Sequence, residues 1–430
     1  VALTSPSGGS FVNGVPMSEV RRILTFTSLF PSSARPRHGI FVKTRLQQVL
    51  QRYPVDVRVV APVPWFPFRS EAFGDYAKFA STPRRAELDG GLQVSYPRYL
   101  MLPRLGVARQ PDAMARAAMP EIEQLRASGW LPQLIDAHYL YPDGVAAALL
   151  AERTGIPFVM TARGTDVNVL ARMPGPGRRI AWASSRCAAV IAVSSQLKQS
   201  LVELGVDADR VVVLRNGVDP EQFRPVDQAS ARREFGLPEG PVIAGVGNLV
   251  PEKGFELAIE ALALLPAATL VLVGDGPQRE SLVALARRRR VSHRLRMLPV
   301  MPQSRLPILY SAADVLVVTS TREGWPNVVL EALSCGTPVA AVNVGAVAEM
   351  LTDPSAGRVV DQRDPERLAA AVLSLLQAPP ARDTVRRHAA RFDWATIARA
   401  QFELFERALV NARGAASRNG APPMALSTPT

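Results

Sequence analysis

The chain has 430 residues, 47% hydrophobic and 20% charged, which is too apolar for a disordered polymer and long enough for roughly two or three domains with their own cores. Two cysteines (Cys187, Cys335) and four histidines at no metal-ligand spacing exclude a disulfide framework and a four-ligand zinc site. No apolar run approaches the roughly 20 residues of a membrane span, and no leader pattern opens the sequence, so a cytoplasmic protein is expected.

The net charge of +12 is uneven. Residues 1–215 carry 26 Lys and Arg against 16 Asp and Glu, and the remainder carries 24 against 22. A basic first half attracts something anionic, such as a phospholipid surface, a phosphorylated lipid or nucleic acid; a general solubility charge is the alternative. Arginine dominates, with only four lysines: Lys43, Lys78, Lys198 and Lys253.

In chain order, residues 1–18 lack periodicity and read as a disordered tail, as do residues 414–430. Buried strands are expected at Ile23–Phe26, Val57–Ala61, Leu134–Ala137, Phe158–Thr161, Val190–Val193 and Val211–Leu214, with helical stretches between many of them. The turn-rich segment Asn216–Pro241 marks a domain boundary. A second series follows: strands Val242–Val246, Thr269–Val273, Leu295–Leu298, Val315–Val318 and Val339–Val342. Helices are expected near Phe255–Leu265, Gln278–Arg288, Leu306–Ala312, Val328–Ser334, Pro365–Gln377 and Trp394–Asn411. This alternation predicts an α/β protein with two doubly wound parallel sheets: residues 19–215, residues 216–391 and a closing helix over 392–413. Ligands of such sheets sit at strand carboxyl ends, beside helix N-termini.

Two motifs fall there. In Glu323-Gly-Trp-Pro-Asn-Val-Val-Leu-Glu331, Glu323 lies in the loop after a strand and Pro326 or Asn327 starts a helix. Glu331 then sits about one turn in. The free N–H groups suit a phosphate, and the carboxylates suit sugar or ribose hydroxyls. In Gly245-Val-Gly-Asn-Leu-Val-Pro-Glu-Lys-Gly254, a strand runs into a Gly-rich turn, with Lys253 placed to meet a diphosphate at a helix start. Val250 breaks a dinucleotide fingerprint and no GK[ST] follows, so neither a Rossmann cofactor site nor a P-loop fits. Asp207-Ala-Asp209 lies in a turn and does not read as a metal site. The basic run Arg287–Arg290 lacks interleaved aromatics and reads as a solvated helix end, so no nucleic-acid partner is expected.

Ser311–Leu351 (SAADVLVVTSTREGWPNVVLEALSCGTPVAAVNVGAVAEML) resembles the signature of the family 4 retaining glycosyltransferases of the GT-B fold. Gly247–Gly254, Val273-Gly-Asp-Gly-Pro277 and Arg215-Asn-Gly-Val-Asp219 match that family in the same order. Leu24–Pro67 is similar to bacterial enzymes that build exopolysaccharide or teichuronic-acid-type chains. The resemblance implies two Rossmann-like domains facing across a cleft, with the last helix returning to the first. It implies a nucleoside-diphosphate-sugar donor and a glycan or lipid-linked acceptor. No cofactor and no metal are implied, and the enzyme would work at the inner face of a membrane. Glu323, Lys253 and His138 would be catalytic. Gly39, Asn248, Lys253, Met301, Asn327, Val328 and Glu331 would bind the donor, with Glu331 on the ribose and the base near Val300–Met301. Arg163, Asp166 and His38 would meet the sugar or acceptor. Two positions depart from the family: Asn248 stands where Arg is usual, and Arg163-Gly164 where His-Gly is usual. An epimerase or phosphorylase of the same fold, or a basic non-catalytic scaffold, are the alternative readings.

Overall fold

The structure, a computed structural model, describes residues 11–12, 15–16, 20–101 and 107–418. The rest of both expected tails lies outside those residues. Inside the first tail, Phe11–Val12 pairs antiparallel with Val15–Pro16. The last helix, Trp394–Arg418, continues past the expected end at 413.

The chain forms two compact units. The first comprises Val1–Val193, Leu197–Leu214 and Ala398–Thr430; the second comprises Ser194–Gln196 and Arg215–Ile397.

Eight strands form the sheet of the first unit: β1 (Arg21–Phe26), β2 (Val55–Val60), β3 (Arg85–Leu88), β4 (Leu92–Ser95), β5 (Leu134–His138), β6 (Phe158–Ala162), β7 (Ala189–Ala192) and β8 (Val211–Val213). Their order is β8-β7-β6-β5-β1-β2-β4-β3. The strands β5, β6 and β7 are buried at every residue, so the sheet is covered on both faces there. The edge hairpin β3–β4 is antiparallel and alternates inward and outward, turning through Asp89-Gly90-Gly91. Its charged, half-exposed residues carry no continuous apolar signal, which is why sequence patterning does not reveal it.

The strands of the second unit are β9 (Val242–Val246), β10 (Thr269–Val273), β11 (Leu295–Leu298), β12 (Val315–Val318), β13 (Val339–Val342) and β14 (Gly357–Val360). All neighbours pair in parallel, in the order β11-β10-β9-β12-β13-β14. The winding direction reverses between β9 and β12, so the loops leaving these two strands diverge around a natural ligand crevice. In the first unit the reversal falls between β1 and β5.

The last helix contributes Leu404, Phe405, Ala408 and Leu409 to the first unit's core, beside Ile23, Val57, Leu134 and Ile191. It is pinned there by a buried bidentate pair: Arg21 Nε donates to Glu406 Oε1 at 2.6 Å and Arg21 Nη2 to Glu406 Oε2 at 3.0 Å. The core of the second unit gathers Leu270, Leu272 and Val317 with Ile259 and Leu262 of the helix Phe255–Ala263. Arg294, four residues beyond the basic run Arg287–Arg290, caps that helix by donating from Nη1 to the carbonyls of Leu262, Leu265 and Ala268 at 2.6–3.1 Å.

Candidate active site

In the second unit β9 ends in a glycine turn, and Pro251–Lys253 forms a single 3₁₀ turn before Gly254. Gly254 takes φ +60° as N-cap of the helix Phe255–Ala263, whose first N–H groups have no side-chain cap. A Cβ here would collide with the Thr319 carbonyl and the Arg363 guanidinium, so only glycine lets the two loops close.

The loop after β12 meets this turn through several bonds. Thr319 Oγ1 donates to the Lys253 carbonyl at 2.9 Å, Thr321 N–H to the Glu252 carbonyl at 2.8 Å, and Arg322 to Glu252 Oε1 at 3.0 Å. Arg363 donates to the Thr319 carbonyl and, at 3.2 Å, to Glu256. This interlock brings Lys253 Nζ to 2.6 Å from Glu323 Oε1, and the same oxygen accepts from Ser320 Oγ at 2.6 Å. The ammonium and the carboxylate keep 28% and 12% of their side-chain exposure, so the pair is reachable from solvent. A cation and an acid thus converge at the winding reversal, next to an uncapped helix start.

The helix Asn327–Ser334 leaves the same loop. Asn327 and Val328 are half-buried in its first turn. Asn216 Nδ2 donates to Asn327 Oδ1 at 3.2 Å, and Trp325 packs against Phe392 (5.8 Å) and under Arg215 (6.0 Å). Glu331 is more enclosed than the sequence implied, at 8% exposure. Its Oε2 accepts from the Tyr310 hydroxyl at 2.7 Å; burial raises its pKa, opposed by hydrogen bonds from Tyr310 and Gln303. Asn248 is exposed in the turn after β9, and Met301 is half-buried in the stretch after β11. Every second-unit residue singled out by sequence therefore lies at or beyond the carboxyl ends of β9, β11 and β12. Sequence reading missed Arg363, Tyr310 and Trp325, whose partners lie far along the chain, and Ser320, whose partner Glu323 is three residues away.

In the first unit Gly39 follows β1 with φ +66° and caps the helix Ile40–Leu50; a Cβ there would strike the Leu29 carbonyl. His38, beside it, accepts at Nδ1 from Arg35 Nη2 (2.8 Å), so its proton resides on Nε2 and is donated to the Ser28 carbonyl (3.0 Å).

His138, expected to touch the transferring sugar, is 1% exposed and fully engaged. Arg163 Nη2 donates to its Nδ1 at 2.7 Å, and an arginine can only donate. The ring proton therefore sits on Nε2, which lies 3.2 Å from Asp136 Oδ2. Burial lowers the imidazole pKa despite Asp136, so the ring is neutral near pH 7. Burial works to raise the Asp136 carboxyl, but His138, Arg45 and Arg163 hold it below its ordinary value. His138 is thus a positioning residue for Arg163, whose guanidinium also lies 5.0 Å above the Phe41 ring. Burial lowers the Arg163 pKa to about 9, still charged at neutrality.

Asp166, expected on the acceptor, is fully buried and accepts from the backbone N–H groups of Leu140, Arg163, Gly164 and Val167 at 2.7–3.2 Å. It ties the loop after β5 to the loop after β6, and burial raises its pKa. Asp143, in the loop after β5, accepts from Ser28 N–H and, at 3.1 Å, from Ser28 Oγ.

Comparison with known proteins gives this arrangement its class. Anabaena HepE, solved in complex with UDP, aligns over 90% of this chain and 99% of its own with a TM-score of 0.68 at 19% identity; the fold is GT-B, that of a large class of glycosyltransferases. The model for glycosyl transferases group 1 matches residues 227–392 and that for Glycosyltransferase Family 4 matches residues 44–222. The teichuronic acid biosynthesis glycosyltransferase TuaC of Bacillus subtilis is 32% identical over 76% of this chain and 82% of its own. The D-inositol 3-phosphate glycosyltransferase of Acidothermus cellulolyticus is 34% identical over 70% of this chain and 73% of its own. The chain belongs to the family 4 glycosyltransferases.

Proposed function

We propose that this glycosyltransferase moves a sugar, with retention of anomeric configuration and without a metal, from a nucleoside-diphosphate sugar to a glycan or lipid-linked acceptor in cell-surface polysaccharide synthesis. The observation that carries the reading is the Lys253–Glu323 pair at the winding reversal, beside the uncapped helix start at Gly254.

In the reaction the bond between the anomeric carbon and the diphosphate oxygen breaks, an acceptor hydroxyl bonds to that carbon on the same face, and its proton passes to the departing phosphate. Negative charge grows on the leaving group and positive charge on the sugar. Donor entry would exchange partners: the Lys253 ammonium turns to the diphosphate and Glu323 to the sugar hydroxyls and the developing positive charge. A preformed cation at a departing oxygen is the type of group whose removal slows catalysis by roughly 100–1000-fold. Glu331, at the first helix turns, would hold the ribose, and Arg163 would offer a charge to the acceptor. The relative named for teichuronic acid synthesis favours a lipid-linked or glycan acceptor. The relative named for D-inositol 3-phosphate favours a second acceptor class, a phosphorylated cyclitol.

The test is a thermal-shift screen of UDP, GDP and ADP and their sugars, followed by transfer assays with the donor found. Lys253→Ala should cut turnover roughly 100–1000-fold, whereas Glu331→Ala should mainly weaken donor binding. Normal donor affinity and normal turnover in both variants would refute the assignment.

A further inference from the structure

The stretch after β2 puts aromatic rings on the surface of the first unit. Trp65 is 51% exposed, Phe68 55%, Phe73 44% and Tyr76 41%, and these are the only strongly exposed aromatic side chains among the described residues. Phe68, Phe73 and Tyr76 gather around Phe66, and Trp65 precedes Phe66 in the chain. The half-buried Phe66 lies 5.9 Å from Phe68, 5.4 Å from Phe73 and 5.2 Å from Tyr76, and Phe68 stacks on Phe73 at 5.2 Å. The Trp65 backbone N–H donates to the Tyr99 carbonyl at 2.7 Å, pairing this stretch with the one that carries Leu100, itself 65% exposed. A soluble surface rarely gathers this much apolar area without a partner to cover it.

Cations flank the shelf. Arg69 follows Phe68, and Arg84 follows the helix Asp75–Ser81 that carries Tyr76. Arg98 Nη2 donates to the Thr82 carbonyl, and its Nη1 has no hydrogen-bond partner. Burial, followed by the like charges of Arg84 and Arg69, lowers the Arg98 pKa. Lys78 is exposed on the same helix, and Glu71 and Asp75 are the acids of the stretch from Trp65 to Arg84.

Aromatic rings beside clustered arginines match a lipid–water interface, where rings settle at the headgroup level and guanidinium groups meet phosphates. A second copy of the chain fits poorly: two-fold pairing through this patch would bring like charges together. We propose that this aromatic shelf is a docking surface that seats the enzyme on an anionic phospholipid bilayer. The proposal deepens the lipid-linked acceptor reading and rests on it for its purpose, since an enzyme held at the bilayer meets such an acceptor in two dimensions.

The experiment is flotation of the full chain with phosphatidylcholine vesicles, with and without phosphatidylglycerol. Wild-type protein should float with phosphatidylglycerol vesicles and be released by high salt. The triple variant Trp65→Ser, Phe68→Ser, Phe73→Ser should stay at the bottom, with nucleotide thermal shifts unchanged. Arg69→Gln and Arg84→Gln should each weaken binding about fivefold, only where phosphatidylglycerol is present. Failure of the wild type to float, or flotation of the triple variant at the wild-type level, would overturn the proposal. So would a wild-type dimer by light scattering that the triple variant converts to monomer without any vesicle binding. Vesicle binding without transfer to any lipid-linked acceptor would sink the acceptor reading and leave the docking surface standing; transfer without vesicle binding would do the reverse.

Discussion

Lys253 Nζ and Glu323 Oε1 lie 2.6 Å apart although 70 residues separate them in sequence. Each leaves one of the two strands between which the second sheet reverses its winding, so the contact follows from the strand order β10-β9-β12-β13. The acid is the counter-ion of the lysine.

That pairing makes product binding informative. Glu323→Gln removes the counter-ion but keeps a hydrogen-bond acceptor for Lys253. A nucleoside diphosphate without its sugar should then bind about fivefold more tightly, the value of roughly 1 kcal/mol for a partly exposed pair. Turnover should fall by about 100-fold or more, because the developing positive charge on the sugar loses its partner. Calorimetric titration and a steady-state assay on one preparation read both. Weaker diphosphate binding in this variant would contradict the counter-ion role.

Ser320 Oγ donates to the same carboxylate oxygen and is 2% exposed. Ser320→Ala removes one hydrogen bond to a charged group, worth about 1.5–3 kcal/mol when it must be held in the transition state. We expect kcat to fall roughly 10–100-fold with little change in donor KM. A changed KM with an intact kcat would place Ser320 on the donor rather than behind Glu323.

Asp143 supplies a pH signature in the first unit. Burial pushes its carboxyl up to about 7 from 3.8, with the Ser28 hydrogen bonds opposing. The native protein therefore keeps a proton that the unfolded chain releases between about pH 4 and 7. The stability this gives is complete below pH 4 and disappears as the pH climbs through 7. Asp143→Asn should abolish that slope: relative to the variant, wild type should lose up to about 4 kcal/mol between pH 4 and 8. Urea midpoints across this range would measure it, and parallel curves would exclude the assignment.

The last helix gives a stability prediction. Glu406→Ala takes from the buried Arg21 guanidinium its bidentate carboxylate counter-charge, at a cost of about 3–5 kcal/mol. The double variant Arg21→Met, Glu406→Leu should recover most of that loss, since well-packed apolar groups often replace a buried pair without penalty. Urea unfolding of both proteins, read by the first unit's transition, decides it. A double variant no more stable than the single would mean the pair does more than satisfy its own charges.

Much was legible in the chain itself. Continuous apolar runs such as Val190–Val193 and Val315–Val318 announce strands covered on both faces, because a fully buried strand has no polar side to interrupt the run. The spacing of Lys253, Glu323 and Glu331 relative to such runs placed them after strands, since the winding of a parallel sheet leaves few other positions for polar loops. Only the tertiary structure decided which of these groups meet. It joined Glu323 to Lys253 and Ser320, shut Glu331 against Tyr310, and buried His138 and Asp166 as supports for Arg163 and its loop. It also revealed the edge hairpin and β14, whose half-exposed residues have no apolar run to betray them. Backbone preference and hydrophobic pattern are local to a segment; burial and hydrogen-bond partners are set by residues brought in from elsewhere along the chain.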